Sequence, residues 1–252
     1  MKAVILCAGY GKRLKPYTDT FQKSMLPLHN QPLLEYILNG LICIGFRDFI
    51  LVVGYKSEQI LDYFKNGENL NINLEYIEQK NLNGTGGALL ECEKLIKNKH
   101  FFVTWGDILV QYSIYKEILN LYNAEHHDFI LVANYTKDPH KGAAVYIKNN
   151  YCTNIVEKPP KGQSKSNLNN SGIFIFSNEI FEILHSLTPT KRGEIELTDA
   201  IRFGIIKRKW KVRVIKMKRN QFRGDFGDKN VYERLIKNSS WLRELEDLDK
   251  NK

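Results

Sequence analysis

Apolar residues open the chain as a short unbroken run over 3–7, which closes on Ala8-Gly9-Tyr10-Gly11. A run of that length bounded by glycines predicts a buried strand feeding a tight loop. Pro32 then introduces apolar positions at helical spacing (Leu33, Leu34, Ile37, Leu38, Leu41), with proline in the first turn. A second buried strand is expected over 49–53. After it comes a helix capped by Ser57 and carrying Ile60, Leu61 and Phe64. Alternation at Ile72, Leu74 and Tyr76 predicts a half-exposed strand. The turn Gly84-Thr85-Gly86-Gly87 precedes a helix expected to run through Ala88, Leu89, Cys92, Leu95 and Ile96, and a strand over 101–105 leads straight into Gly106-Asp107.

Strand and helix alternating at this spacing predict an α/β protein. Its central sheet should be Rossmann-like, mostly parallel and flanked by helices. In such sheets ligands bind beyond the carboxyl ends of the strands, where these loops converge. Past residue 125 the rhythm changes: strands crowd together over 129–134, 143–147, 152–156 and 172–176. Helices are then expected over 179–187 and 196–206, a strand over 211–217, and a charged amphipathic helix over 231–248. The chain is therefore read as a first half, 1–125, and a smaller mixed α+β second half, 126–252, integrated into one domain.

Composition narrows the classes. At roughly 150 residues per domain, 252 residues fit one large or two intimately packed domains. The 43% hydrophobic and 26% charged residues are a globular balance rather than a disordered one. No apolar run reaches the ~18–20 residues of a membrane span, and the start lacks a signal-peptide pattern, so a cytoplasmic protein is expected. Lys plus Arg outnumber Asp plus Glu by 37 to 28, a net charge of +9. That surplus speaks to association with anions without naming one. Cys7, Cys43, Cys92 and Cys152 are scattered, and the six histidines fall in no metal-binding pattern.

The loop Leu6-Cys7-Ala8-Gly9-Tyr10-Gly11-Lys12-Arg13-Leu14 is not a Walker A loop, because GxxxxGK[ST] is absent. It is a poor dinucleotide fingerprint too: Leu14 replaces the third glycine, and no acid ends the second strand. What remains is a glycine turn with Lys12, Arg13 and, further on, Lys23. Small residues let backbone N–H groups approach a phosphate, and the cations complete the neutralisation. On Arg13, Leu14, Pro16, Thr18, Lys23 and Pro27, this stretch resembles the signature LxAGxGxRLxPxT, followed by a lysine before LP, of the sugar-1-phosphate nucleotidyltransferases (NDP-sugar pyrophosphorylases). Gln22 departs from the pattern, which usually has proline there, and is expected to loosen the loop while leaving Lys23 intact.

Further matches run in order to about residue 235. Gln79 with the Gly84 turn resembles the family's base-reading segment, and Gly106-Asp107 its metal-binding GD. Glu157-Lys158-Pro159 resembles the EKP sugar-phosphate motif, Asn170-Ser171-Gly172-Ile173-Phe174-Ile175-Phe176 the NxGIYIF strand, and Asp225-Phe226-Gly227 the late DIG element. The resemblance implies a GT-A-like fold with a nucleotide-binding first half and a sugar-phosphate-binding second half. It also implies the reaction: a nucleoside triphosphate and a sugar 1-phosphate give a nucleoside diphosphate sugar and pyrophosphate.

By the same resemblance, Arg13, Lys23, Asp107, Lys158 and Asp225 are the catalytic residues, with Asp107 and Asp225 holding Mg²⁺. Leu6, Ala8, Gly9, Gly11, Gln79, Gly84 and Thr85 bind the nucleotide; Gly142, Glu157, Lys158 and Asn170 bind the sugar phosphate. Asp228 is the nearest alternative to Asp225. The residues suit this chemistry in their own right, because joining two anions calls for positioning and charge neutralisation rather than a Ser-His-Asp arrangement. The Gln79 amide offers a donor and an acceptor that complement uracil or thymine, so UTP or dTTP is favoured, with glucose 1-phosphate as first sugar. GTP- or CTP-dependent transfer, transfer to a non-sugar phosphate, and a non-catalytic nucleotide-sugar sensor are the alternatives. The run Lys207-Arg208-Lys209-Trp210-Lys211-Val212-Arg213 reads as a helix end and a basic strand face rather than a nucleic-acid site. Homo-oligomers are common in the family, but no interface signature is visible in this chain.

Overall fold

A computed structural model describes residues 1–125 and 127–248. In chain order it begins with β1 (Ala3–Leu6), α1 (Tyr17–Thr20), β2 (Pro27–Leu28), β3 (Gln31–Pro32), α2 (Leu33–Cys43), β4 (Asp48–Val53), α3 (Ser57–Phe64), β5 (Asn73–Glu78) and α4 (Thr85–Leu90). There follow β6 (His100–Trp105), β7 (Ile108–Val110), α5 (Tyr112–Glu125), β8 (Phe129–Tyr135), β9 (Ala143–Lys148), β10 (Tyr151–Glu157) and β11 (Leu168–Ser177). The chain continues through α6 (Glu179–Ser186), α7 (Leu197–Lys207), β12 (Val212–Lys216), β13 (Arg223–Asp225), α8 (Lys229–Lys237) and α9 (Ser240–Leu245). Among the described residues no helix is long and apolar enough to cross a membrane.

Several boundaries differ from expectation for local reasons. Ser57 is the first residue of α3 rather than its cap; the preceding turn, Ser57 N–H to Gly54 carbonyl at 3.1 Å, passes the cap position to Lys56 at φ 52°. Helix α4 stops at Leu90, short of Ile96, and the chain re-forms only a 3-10 turn over Glu93–Leu95. Glycines at two of its first three positions give it little helical preference of its own. The terminal amphipathic segment is two helices, broken where Asn238 Oδ1 accepts the N–H of Ser240 at 2.8 Å. Helix α5 was not foreseen in the sequence.

The residues form two compact units, each discontinuous in the chain. The first comprises Met1–Leu82, Thr104–Glu117 and the chain from Gln221 onward. Its strands β1, β4 and β5 are parallel, with β4 central and register Ala3↔Phe49 and Asp48↔Asn73. Val4, Ile5, Ile50, Leu51, Leu33 and Ile37 have no exposed surface and form its core. The expected parallel βα pattern arises here because continuously apolar strands need cover on both faces. Strands β7 and β13 make a separate antiparallel ribbon in this unit.

The second unit comprises Asn83–Val103 and Ile118–Asn220. Its strands β11, β8, β12, β10 and β9 are neighbours in that order, with the β12–β8 pair parallel and the β11–β8, β12–β10 and β10–β9 pairs antiparallel. Strand β9 also meets β11 at Asn169↔Ala144, so the five strands curl until first and last touch. The crowded strands of the second half thus form the expected mixed part. The chain is α/β throughout.

Candidate active site

In the first unit, the backbone fixes both ends of the glycine loop. The Cys7 N–H donates to the Val52 carbonyl (2.8 Å), the Leu6 carbonyl accepts from Gly106 (2.9 Å), and the Ala8 carbonyl accepts from Tyr55 (3.1 Å). Gly9 beyond them is exposed, with open space where a side chain would stand. Gly11 adopts φ 63°, and a Cβ there would lie 2.9 Å from the Thr18 methyl, so both the turn and the packing require glycine. Thr18 Oγ1 donates to the Gly11 carbonyl at 3.0 Å. The following 3-10 turn, Lys12–Leu14, presents Arg13 outward while Leu14 is buried. Gln79 follows β5, its N–H bonded to the Val53 carbonyl at 2.9 Å, and its side chain is buried.

Asp107 and Asp225 come together although 118 positions separate them in the sequence. Asp225 ends β13 opposite Ile108 of β7, and the N–H of Phe226 donates to the Asp107 carbonyl at 2.9 Å. Lys23 forms an ion pair with Asp107 Oδ2, and its charge also acts on Asp225. Burial pushes the Asp225 carboxyl up, but the Arg223 guanidinium (3.2 Å), the Gly227 N–H (2.9 Å) and Lys23 prevail and hold it below the usual carboxylate range. Arg13 closes the group: a Cβ on Gly227 would be 2.9 Å from both Arg13 Nη2 and Asp225 Oδ1. Asp228 is engaged elsewhere, capping α8 by accepting the Asn230 N–H at 2.9 Å. The ribbon therefore gathers two carboxylates and three cations, Lys23, Arg223 and Arg13.

The second unit gathers the other set. Lys158 follows β10 at φ 41°, a left-handed geometry uncommon outside glycine. Its N–H donates to the Gly142 carbonyl at 3.0 Å and its Nζ lies 3.2 Å from Glu157 Oε1. Asn170 sits on β11 next to a register shift against β8 and is 4% exposed. Its Oδ1 accepts the Gly172 N–H at 2.9 Å, while its Nδ2 has no hydrogen-bond partner among the described residues. A buried donor left so is what a polar ligand would satisfy. Gly84 and Thr85 are fastened by backbone bonds of 2.7 Å from Gly86 N–H to the Ile195 carbonyl and from Ile195 N–H to the Asn83 carbonyl. The Thr85 hydroxyl donates to Glu196 (3.0 Å) and accepts from the Leu197 N–H (3.0 Å), so this side chain serves the turn.

Two polar residues of this unit escaped the sequence reading. Thr198 donates to Glu157 Oε2 at 3.1 Å, orienting that carboxylate, and buried Glu196 takes Arg192 at 2.9 Å besides Thr85. The signal was present in the dense polar run Arg192-Gly193-Glu194-Ile195-Glu196-Leu197-Thr198-Asp199, just where a helix begins.

With this geometry in hand, comparison with known proteins is decisive for the family: the model described as Nucleotidyl transferase matches residues 2–235. The chain belongs to the nucleotidyl transferase family. Among its relatives, the bifunctional protein GlmU of Methanococcus maripaludis is 41% identical over 202 residues, which are 80% of this chain and 46% of that one. The chain thus spans about half the length of the GlmU relatives it matches. UTP–glucose-1-phosphate uridylyltransferase 1 of Staphylococcus saprophyticus is 31% identical over 229 residues, covering 79% of this chain and 80% of that one. The crystal structure of UDP-glucose pyrophosphorylase complexed with UDP-glucose superposes with a TM-score of 0.83 at 28% identity, over 94% of this chain and 97% of that one. This nucleotidyl transferase therefore has the GT-A-like architecture of those proteins.

Among the described residues no group of three or more His, Cys, Asp and Glu is arranged to hold a metal. A carboxylate pair is nonetheless a fitting donor set for Mg²⁺, which takes one or two protein carboxylates and completes its shell with phosphate oxygens and water. Asp225, held ionised, and Asp107, on the facing strand end, fit that demand.

Proposed function

We propose that this nucleotidyl transferase joins a nucleoside triphosphate to a sugar 1-phosphate, and that Asp107, Asp225, Lys23 and Arg13 handle the triphosphate while Glu157, Lys158, Asn170 and the Gly142 backbone handle the sugar phosphate. The observation that carries the proposal is the β7–β13 ribbon, which sets both aspartates beside Lys23. A sugar-phosphate oxygen forms a bond to the α-phosphorus, the bond from that phosphorus to the β-phosphate oxygen breaks, and pyrophosphate leaves with the electron pair. No general base is required, because the nucleophile is already an anion.

Arg13 neutralises the β- and γ-phosphates and the departing pyrophosphate. Lys23 shares its charge between Asp107 and the phosphates. Lys158 draws the second anion into reach, and Glu157, held by Thr198, accepts hydrogen bonds from sugar hydroxyls. The free Asn170 Nδ2 donates to the same sugar. Asp107 and Asp225 would hold Mg²⁺, which supplies charge stabilisation at the phosphates when bound.

UTP is the favoured triphosphate, supported by the donor–acceptor pair of the Gln79 amide and by relatives whose names carry UTP and UDP-glucose. Glucose 1-phosphate is the first sugar, supported by the names of the same relatives. The test is pyrophosphate release from UTP, dTTP, CTP, GTP and ATP against several hexose 1-phosphates, with Mg²⁺ present and withheld. The expected result is Mg²⁺-dependent release led by UTP or dTTP. No release from any pair would overturn the proposal.

A further inference from the structure

Gln22 precedes Lys23 and stands where the family signature usually has proline. Its backbone angles, φ −60° and ψ 142°, are ones proline adopts, so the glutamine is not there to relieve the dihedral angles. Its side chain is 1% exposed, and a buried amide needs partners. Nε2 donates to the carbonyl of Cys7, the residue after β1. Oε1 accepts the N–H of Ser24, capping the 3-10 turn Lys23–Met25. The Gln22 N–H donates to Gln59 Oε1 at 2.7 Å, and Gln59 Nε2 donates to the Thr20 carbonyl at 2.8 Å. The packing beneath has no slack: a Cβ on Gly106 would lie 2.5 Å from Cys7 Sγ and 2.8 Å from Ser24 Oγ. Asp107, the partner of Lys23, is the next residue.

We infer that Gln22 is a positioning residue, which ties the Lys23 turn to the end of β1 and so sets the Lys23 ammonium against Asp107. The loop is not loosened by the loss of proline, as the sequence had implied; a buried amide clamp replaces a rigid ring. The inference rests on the proposed nucleotidyl transfer, which gives Lys23 and Asp107 their work. Without the clamp, the N–H of Ser24 and the carbonyl of Cys7 lose their partner together, and Lys23 swings free of the position where charge must be neutralised.

The test is a double-mutant cycle on the full chain with Gln22→Ala, Lys23→Ala and both, measuring kcat, KM for each substrate and the thermal midpoint. Gln22→Ala is expected to lower kcat about tenfold, with the KM for sugar 1-phosphate within about twofold. In the Lys23→Ala background the same change should alter kcat less than about twofold, because Gln22 acts through Lys23. Gln22→Glu keeps the acceptor for Ser24 but turns a carboxylate toward the Cys7 carbonyl; it should lose activity similarly and serves the cycle if the alanine variant does not fold. Equal losses in both backgrounds, or a Gln22→Ala kcat equal to that of the parent, would overturn the inference while the parent chain stays active. A parent chain that releases no pyrophosphate removes the proposed function itself, and the inference with it.

Discussion

Two aspartates on facing strand ends need not be equivalent, and here they are not. Asp107 carries an ion pair with Lys23, whereas Asp225 carries the Gly227 N–H and Arg223. Removing the Asp107 carboxylate takes away a charge without breaking a backbone bond. Asp107→Ala should lower turnover at least ~100-fold, about 3 kcal/mol, with the fold intact; near-normal turnover would remove Asp107 from the mechanism. Asp225→Asn keeps an oxygen for the Gly227 N–H and loses the charge together with the second oxygen, which takes Arg223. Its thermal midpoint should fall modestly with the fold retained, while turnover falls by a similar factor and the Mg²⁺ concentration for half-activity rises. A variant that loses fold and activity together would make Asp225 a structural residue. Both aspartates were legible in the sequence through short motifs, each set in a strand-end turn. Thr198 and Glu196 showed only as members of a dense polar run, because their bonds to Glu157 and Thr85 span 41 and 111 positions and nothing local names those partners.

At the scale of elements, the parallel strands were legible because buried β-strands read as unbroken apolar runs, and α2 because its apolar positions repeat. Helix α5 gives no helical signal in the sequence, since Tyr112, Ile114, Tyr115 and Ile118, all buried, are aromatic and β-branched residues of weak helical preference. At its start packing overrides that preference, as Tyr112 and Tyr115 crowd Gly40 of α2. The basic run from the end of α7 spans a helix end and a strand: Lys207 lies in the last turn, where cations suit a helix C-terminus, and Arg213 of β12 pairs with Glu125 at 3.1 Å. The join between α7 and β12 depends on one close approach. A Cβ on Gly204 would lie 1.9 Å from Trp210 Cε3, and the Trp210 ring is stacked 3.7 Å from that of Phe129. The half-buried indole lies between helix and sheet, so an added methyl must push it off the Phe129 ring. Gly204→Ala should therefore destabilise the protein by about 1–3 kcal/mol, read as a lower urea midpoint, with activity per folded molecule unchanged. An unchanged midpoint would show that the ring can move.

Across the whole molecule, compactness depends on contacts between distant segments, so nothing local in the sequence announces the chain's returns to the first unit at Thr104 and Gln221. Charge, by contrast, is legible from composition, and the structure gives it a sign for pH. Hydrogen bonds from Arg213 and then His127 hold the Glu125 carboxyl below its ordinary value, and Lys141 does the same for Asp138. Asp128 and Asp225 are lowered despite burial, by His100 with Lys99 and by Arg223 with the Gly227 N–H. For these four, the unfolded chain binds protons more readily than the folded one. Their stabilisation is fully present above the ordinary carboxylate values of about 4 and is lost as pH falls through the lower folded values. Asp199 works the other way: burial and then Glu196 raise its carboxyl, so acid relieves a cost there. Four against one makes acid destabilising, and protonation also drives the net charge above its neutral-pH value of +9, adding self-repulsion in the same direction. The urea midpoint should change little between pH 7 and about 5 and fall clearly by about pH 3, with added salt recovering the share due to repulsion between exposed charges. A midpoint that held constant to pH 3 would mean that these carboxylates titrate alike in the folded and unfolded chain, and that their ion pairs hold nothing in place.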